Sequence, residues 1–277
     1  MLFTHHPIGM GWYVARPMNR LSEPSRVPPK PSFIGVEDED CWNPPGYVRG
    51  LPHWRLIGAT YFITFRQADS LPEAVLKAWE QEATAWLWSH GIDDHWKKSD
   101  PEKFKSAFLA LPREVREARQ REEAKRFLHE LDLCHGSCRL QKPEAQDIVS
   151  EALNHFHSQR LWVGDWVVMP NHVHVIAQPF EGVKIEEWLY SVKRYSASTL
   201  HRAGLIQEAD FRAGHFWQKE SFDRVTRDLA ELGRTRKYIA DNGKKLHPGT
   251  FRHLASPWLN EFAPLDVPPH SNGVEGR

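Results

Sequence analysis

The sequence predicts an α+β fold, an antiparallel sheet of about four to five strands with helices on one face. Two observations predict it. Strand-like and helix-like stretches follow the order strand, helices, hairpin, helix, strand, helix, which suits antiparallel pairing. Apolar residues make up 40% of the 277 positions, enough to bury a core, and no internal repeat divides the chain.

Four runs rich in aromatic and β-branched residues are predicted as strands. They are residues 59–66, 160–169, 172–178 and 215–222. In the first run, Tyr61, Ile63 and Phe65 alternate with their neighbours and therefore share one face. Pro170 and Asn171 separate the second run from the third, so these two strands are predicted to form a hairpin.

Helical stretches fill the intervals between the strands. They are predicted at residues 71–90, from Pro101 onward, and at 114–133, 143–157, 184–203 and 226–242. Asp100 is placed to cap the second of these helices, and Gly243 stands at the C-terminal end of the last. The dense charge of residues 114–133 predicts a surface helix exposed to solvent.

The chain ends differ in composition from the middle. Residues 1–50 are rich in proline and are expected to be a disordered N-terminal extension, and residues 263–277 a disordered tail. The ordered domain is predicted at 51–262. No run approaches the ~20 apolar residues that a membrane-spanning helix needs. The N-terminus lacks a secretory signal, so we expect a cytoplasmic protein with no membrane partner.

Charge and cysteine content narrow the functional classes. The 36 basic and 36 acidic residues cancel, which argues against broad electrostatic binding of DNA but leaves room for a local basic face. Three cysteines, an odd number, argue against a disulfide framework. Cys134 and Cys138 with His135 and His157 leave a zinc site open as an alternative to cysteines that serve as small apolar residues in a turn.

His172 and His174 are the strongest candidates for metal ligands. They lie two residues apart on a predicted strand, so both imidazoles point to one face while Val173 and Val175 point to the other. A surface strand with two histidines by chance is the simpler interpretation of the bare motif. The tight turn before the pair and its apolar neighbours favour the metal site.

The stretch WVVMPNHVHVI resembles the signature of the REP-associated tyrosine transposases, within the HUH single-tyrosine transposase family. The segments LPHW and GATYFITFRQADSLP before it, and FWQKESFDRVTRD after it, are similar to the same family. The resemblance covers roughly residues 51–253. It implies a ferredoxin-like HUH fold, in which residues from about 89 to 131 are a helical insertion.

The resemblance also implies one tyrosine on the last helix that attacks a DNA phosphate. The pattern Tyr-Ile-x-x-Asn matches YIADNG, which makes Tyr238 the nucleophile. Asn242 lies one turn further on the same helix face and is predicted to join the two histidines as a ligand of Mg²⁺ or Mn²⁺. The family usually has proline after this asparagine, where Gly243 stands. Tyr190 and Tyr195 are rival nucleophiles without an asparagine at that spacing.

Basic residues near Tyr238 and on the preceding helix are predicted to contact DNA phosphates. They are Arg224, Arg227, Arg234, Arg236, Lys237, Lys244 and Lys245, together with Lys193 and Arg194. A solvated helix face is the alternative interpretation of these charges.

The function implied is a metal-dependent single-stranded DNA endonuclease and strand transferase. It would cut at or near repeated palindromic hairpins through a 5′-phosphotyrosine intermediate, as a monomer or homodimer. One alternative is a DNA-binding protein of the same fold that does not cut. Another is a metallohydrolase that acts on a small substrate and gives Tyr238 no role.

Overall fold

A five-stranded antiparallel sheet, in the order β4-β1-β3-β2-β5, forms the centre of the molecule. A computed structural model describes residues 30–33, 58–208 and 216–265. In chain order the strands are β1 (Tyr61–Arg66), β2 (Leu161–Val168), β3 (His172–Pro179), β4 (Phe222–Val225) and β5 (Arg252–Leu254). The predicted α+β class with an antiparallel sheet is confirmed.

Helices within the described residues lie between and after the strands. They are α1 (Glu73–Ser89), α2 (Trp96–Ser99), α3 (Pro101–Leu109), α4 (Arg113–Asp132), α5 (Pro143–Asn154), α6 (Ile185–Arg202), α7 (Leu229–Asn242) and α8 (Pro257–Asn260). The Asp100 side chain accepts a hydrogen bond from the backbone N–H of Lys103, as predicted for a cap. No helix of the described residues combines the length and the apolar character needed to cross a membrane.

The hairpin of β2 and β3 is the central pairing of the sheet. The turn at Pro170 and Asn171 is closed by the backbone N–H of Met169, which donates to the carbonyl of His172 at 2.8 Å. The register shifts between Val163 and Trp166, where Gly164 lies. A side chain at Gly164 would place its Cβ 2.6 Å from Cδ1 of Leu259 of α8, so that leucine would have to shift to admit it.

The alternation of β3 gives the sheet two different faces. Val173 and Val175 belong to the core cluster that includes Val149 of α5 and Val192 of α6. Ile176, on the opposite face, belongs to a second cluster formed with α7 and α8. The prediction placed helices on one face, whereas they cover both. The second face is apolar enough around the histidines to bury another helical layer.

The helices of the predicted insertion pack through two small hydrophobic clusters, one of which contacts the sheet. Phe104 and Phe108 pack with Leu87 in one cluster. Phe127 and Leu131 of α4 pack in another, against Leu71, with Phe222 of β4 beside them. The charged helix predicted to lie on the surface is therefore anchored at its C-terminal end, which brings Asp132 to the sheet.

Two predicted elements need correction. The fourth strand was predicted at 215–222, but β4 is Phe222–Val225 and pairs with β1. Trp217 forms only an isolated bridge with Gln67, and its indole N–H donates to Ser196 in the core, so this aromatic residue packs in the core instead of extending the strand.

The helix predicted from 226 begins at Leu229, after an Asp228 cap. It is followed by β5 and α8, which the sequence analysis does not predict.

The predicted termini lie mostly outside the described residues, as does the LPHW segment. Within the described part, the carbonyl of Ser32 accepts a hydrogen bond from the Thr60 N–H. Ala263, at the predicted start of the tail, is only 9% exposed and packs in the second core cluster.

Candidate active site

The two histidines lie side by side in the interior, on the face of β3 that α7 covers. Both are fully buried, and their Nε2 atoms are 2.9 Å apart. His174 is opposite Thr64 on β1 and Val167 on β2, so neighbouring strands fix the backbone on both sides. The predicted common face is confirmed, and the two Nε2 atoms converge on one point.

Hydrogen bonds to the far side of each ring set its orientation. Asn171 donates through Nδ2 to the carbonyl of His135, so its Oδ1 faces His172 Nδ1, 2.7 Å away. An amide oxygen only accepts, so His172 carries its proton on Nδ1 and leaves Nε2 with a free lone pair. Thr64 Oγ1 lies 2.7 Å from Nδ1 of His174 and can hold that ring in the same tautomer.

Tyr238 lies beside the histidine pair, on α7. Its hydroxyl oxygen is 3.3 Å from Nε2 of His174, and its ring meets Phe62 edge-on. The hydroxyl donates to Asp132, at 3.2 Å from Oδ1 and 3.4 Å from Oδ2. The structure thus brings the predicted nucleophile to the predicted metal ligands from a different element.

Asp132 is a site residue that the sequence reasoning missed. Its Oδ1 lies 3.8 Å from Nε2 of His172, and its side chain is 35% exposed. With His172 and His174 it forms a group whose ligand atoms all lie within 4.8 Å of one another and can hold a metal ion. The only sequence signal was an acidic residue at the end of a charged helix, and no spacing rule connects it to the histidines.

Burial sets the protonation states of the site. It lowers the pKa of His172 to about 3. Burial also lowers the pKa of His174, and repulsion from His172, when that ring is protonated, lowers it further. For Tyr238, burial raises the pKa well above its usual range, with a further increase from Asp132. The imidazoles are therefore neutral and the phenol is protonated at neutral pH in the metal-free protein.

Asn242 follows Tyr238 by one turn and is half-buried. Its amide acts on the phenol in the opposite direction from Asp132 and lowers the pKa of Tyr238. Its Nδ2 is buried and has no hydrogen-bond partner among the described residues. The helix ends at Asn242 and Gly243 is its C-cap, where an added Cβ would clash with the Phe251 ring, so close packing explains glycine at this position.

The rival tyrosines lie away from the histidine pair. Tyr190 and Tyr195 are 65% and 43% exposed on α6. That helix buries Val192 in the cluster on the opposite face of the sheet. Neither hydroxyl therefore belongs to the group formed by the histidines.

Arg236 is a correction to the predicted DNA contacts. It is fully buried, and its guanidinium donates to Asp165, with Nε 2.8 Å from Oδ2, and to Asn260 and the carbonyl of Ala263. The physical reason is its position on the inner face of α7, where it ties the helix to β2 and α8. Its side chain is not accessible to a DNA phosphate.

The other predicted cations are mostly in ion pairs or packed against the backbone. Arg224 and Arg227 both pair with Glu231, at 3.2 and 3.1 Å. Lys237 and Lys244 both pair with Asp241.

Three further predicted cations have different settings. Lys193 donates to the carbonyls at 218 and 219, and burial lowers its pKa to about 8. Arg194 and Arg234 are exposed. The side chain of Lys245 lies outside the described residues.

The cysteine alternative has a different geometry. Burial raises the pKa of the Cys134 thiol to about 12, and the Cys138 thiol donates to the Cys134 carbonyl. His157 Nδ1 accepts from the Val163 N–H. Among the described residues, these side chains do not form a group whose ligand atoms converge.

The site combines a buried histidine pair on a central strand with a tyrosine from a neighbouring helix. Residues 140–242 match the family model of the IS200-like transposases. That segment, which contains the hairpin, α6 and α7 with Tyr238, is the part of the chain that is similar to this family.

The chain is also similar to a solved structure. A structure described as a REP-associated tyrosine transposase bound to a REP hairpin is 14% identical, with a TM-score of 0.38. The match covers 72% of this chain and 74% of that one. No curated protein matches the chain.

Proposed function

We propose that this protein is a metal-dependent single-stranded DNA endonuclease and strand transferase that uses Tyr238 as its nucleophile. The observation that carries the proposal is the 3.3 Å distance from the Tyr238 hydroxyl to Nε2 of His174, within a buried histidine pair. A small-substrate metallohydrolase would give this tyrosine no role at the pair. The match of the same segment to a transposase family supports the same conclusion.

The donor set fits Mg²⁺ or Mn²⁺. His172 and His174 offer two neutral nitrogens, and Asn242 is proposed as an oxygen ligand. The unpartnered Nδ2 of Asn242 supports this, because a half-turn of the amide would present Oδ1 in its place. A bound divalent ion would offset the charge of the scissile phosphate.

The chemical step is a transesterification at phosphorus. The phenolic oxygen of Tyr238 forms a bond to phosphorus, and the bond to the 3′ oxygen breaks with its electron pair. The phenol loses its proton, for which Asp132 is an acceptor already in hydrogen-bond contact, and the leaving 3′ oxygen takes one up. The product is a 5′-phosphotyrosine and a free 3′-hydroxyl, so the strand can be rejoined elsewhere.

The proposed substrate is single-stranded DNA with repeated palindromic hairpins, a class that follows from the sequence resemblance. Phosphate contacts on the Tyr238 side are assigned to Arg224, Arg227, Arg234, Lys237, Lys244 and Lys245. Their partners Glu231 and Asp241 would have to give up these cations to phosphate. Lys193 and Arg194 lie on α6, across the sheet, and would contact DNA only beyond the cutting site.

The test is cleavage of 5′-labelled single-stranded hairpin oligonucleotides in the presence of Mn²⁺. Wild-type protein and Tyr190→Phe should yield shortened labelled products, and Tyr238→Phe should yield none. Equal cleavage by Tyr238→Phe would overturn the assignment of the nucleophile. Binding without cleavage by the wild-type protein would favour a DNA-binding protein that does not cut.

A further inference from the structure

We propose that Asp132 is a carboxylate ligand of the same metal and joins the ion to the nucleophile. This inference rests on the proposed function, and it adds a ligand from outside the segment that matches the transposase family. Asp132 is the last residue of α4, within the helical region before that segment.

Asp132 lies close both to the histidine pair and to the Tyr238 hydroxyl. Oδ1 lies 3.8 Å from Nε2 of His172, and the hydroxyl of Tyr238 donates to both carboxylate oxygens. One carboxylate oxygen can therefore bind an ion held by the histidines while the other still accepts the hydrogen bond from the Tyr238 hydroxyl. A carboxylate that does both couples the position of the nucleophile to that of the ion.

Charge favours a carboxylate at this point. The two imidazoles are neutral, and the amide of Asn242 is neutral as well, so these three groups leave the charge of a divalent cation uncompensated. Mg²⁺ and Mn²⁺ prefer anionic oxygen ligands. Among the described residues, Asp132 is the carboxylate that groups with the histidine pair.

The helix holds Asp132 where its charge is locally unfavourable. The C-terminal end of a helix carries partial negative charge, and a carboxylate there is destabilising. Leu131, the preceding residue, is fully buried, so the end of α4 is fixed against the sheet. A bound cation would compensate for both the carboxylate and the helix end.

The experiment measures Mn²⁺ binding by isothermal titration calorimetry on the metal-stripped full-length protein, without DNA. Asp132→Asn should weaken Mn²⁺ binding by roughly 10-fold or more. The control is Glu130→Gln on the same helix, whose carboxylate faces His135 at 3.5 Å and should leave the affinity within about twofold of wild type. Asp132→Glu, which keeps the charge, should recover part of the loss.

The outcomes separate this inference from the proposed function. If Asp132→Asn binds Mn²⁺ like wild type while a His172→Ala/His174→Ala variant does not, the ligand inference is wrong and the histidine site stands. If only Asn242→Ala weakens binding, the oxygen ligand is Asn242 and not Asp132. If the wild-type protein binds no Mn²⁺, the metal site itself fails. Thermal unfolding of each variant establishes that it is folded.

Discussion

Nε2 of His172 lies 2.9 Å from Nε2 of His174, deep under helix α7. Asn171 leaves the first of these nitrogens with a free lone pair. Two bare nitrogens at this distance repel each other unless a proton or a cation lies between them. The tautomer of His174, which depends on Thr64, therefore decides whether the pair is bonded internally or open to a metal.

Thr64→Val removes the partner of His174 Nδ1 and keeps the shape of the side chain. We expect Mn²⁺ affinity to fall roughly 10–100-fold, because groups that orient a metal-binding histidine commonly have effects of that size. Calorimetric titration with Mn²⁺ measures this affinity. Thr60→Val, which loses the buried bond to Gln178 away from the site, is the matched control and should bind Mn²⁺ normally. Unchanged affinity in Thr64→Val would refute the orienting role.

Acid should destabilise the metal-free protein through the same imidazoles. Burial lowers the pKa values of both imidazoles, that of His172 to about 3, whereas histidines in the unfolded chain have a pKa of about 6.5. Their contribution to stability is complete above pH ~6.5 and is lost as the pH falls towards 3, at about 1.4 kcal/mol per pH unit for each imidazole. Urea unfolding at a series of pH values between 7.5 and 5 measures this slope.

The matched control for the acid prediction is a double variant, His172→Gln/His174→Gln. Its stability should depend less on pH over the same range, since His157 and the other histidines are unchanged. Identical slopes for the two proteins would mean that the pair is not held neutral in the folded state.

Arg236 should behave as a core residue. Arg236→Ala leaves the fully buried Asp165 without its cation, and we expect a loss of about 3–5 kcal/mol in the free energy of unfolding. Arg234→Ala, two residues earlier and exposed, should change stability by less than about 0.5 kcal/mol. Urea unfolding compares the two. A stable Arg236→Ala protein that binds single-stranded DNA more weakly would restore the original prediction.

Alanine should change the stability of the protein in opposite directions at two glycines, one inside α7 and one at its C-terminal end. Gly243→Ala forces a Cβ into the Phe251 ring and should cost about 1–3 kcal/mol. Gly233→Ala, inside the helix with no atom within 4 Å of the added Cβ, should stabilise by about 0.5–1 kcal/mol. Thermal unfolding measures both. Equal effects would show that Phe251 does not pack on Gly243.

The sequence predicted the parts of the site that follow a local period. A strand repeat of two placed both histidines on one face, and a helix repeat placed Asn242 beside Tyr238. The same helix period could have identified Arg236 as buried. Buried positions of α7 at 232, 235, 236 and 239 follow the i, i+3, i+4, i+7 pattern, and Arg236 falls within it.

Other features depend on tertiary contacts that no local pattern carries. Asp132 reaches the site only because Phe127 and Leu131 anchor α4 against the sheet. The aromatic residues at 216 and 217 resemble a strand in sequence but pack in the core cluster without a ladder. β5 is three residues long, too short for an alternating pattern to be recognised.

The covalent intermediate is the most direct test of the central claim. Metal-stripped protein is mixed with labelled single-stranded hairpin DNA and Mn²⁺, resolved on a denaturing gel, and the shifted band is digested for mass spectrometry. We predict a metal-dependent adduct in which the nucleotide is attached to the peptide that contains Tyr238, lost in Tyr238→Phe and retained in Tyr195→Phe. An adduct that persists in Tyr238→Phe, or that maps to another tyrosine, would contradict the account.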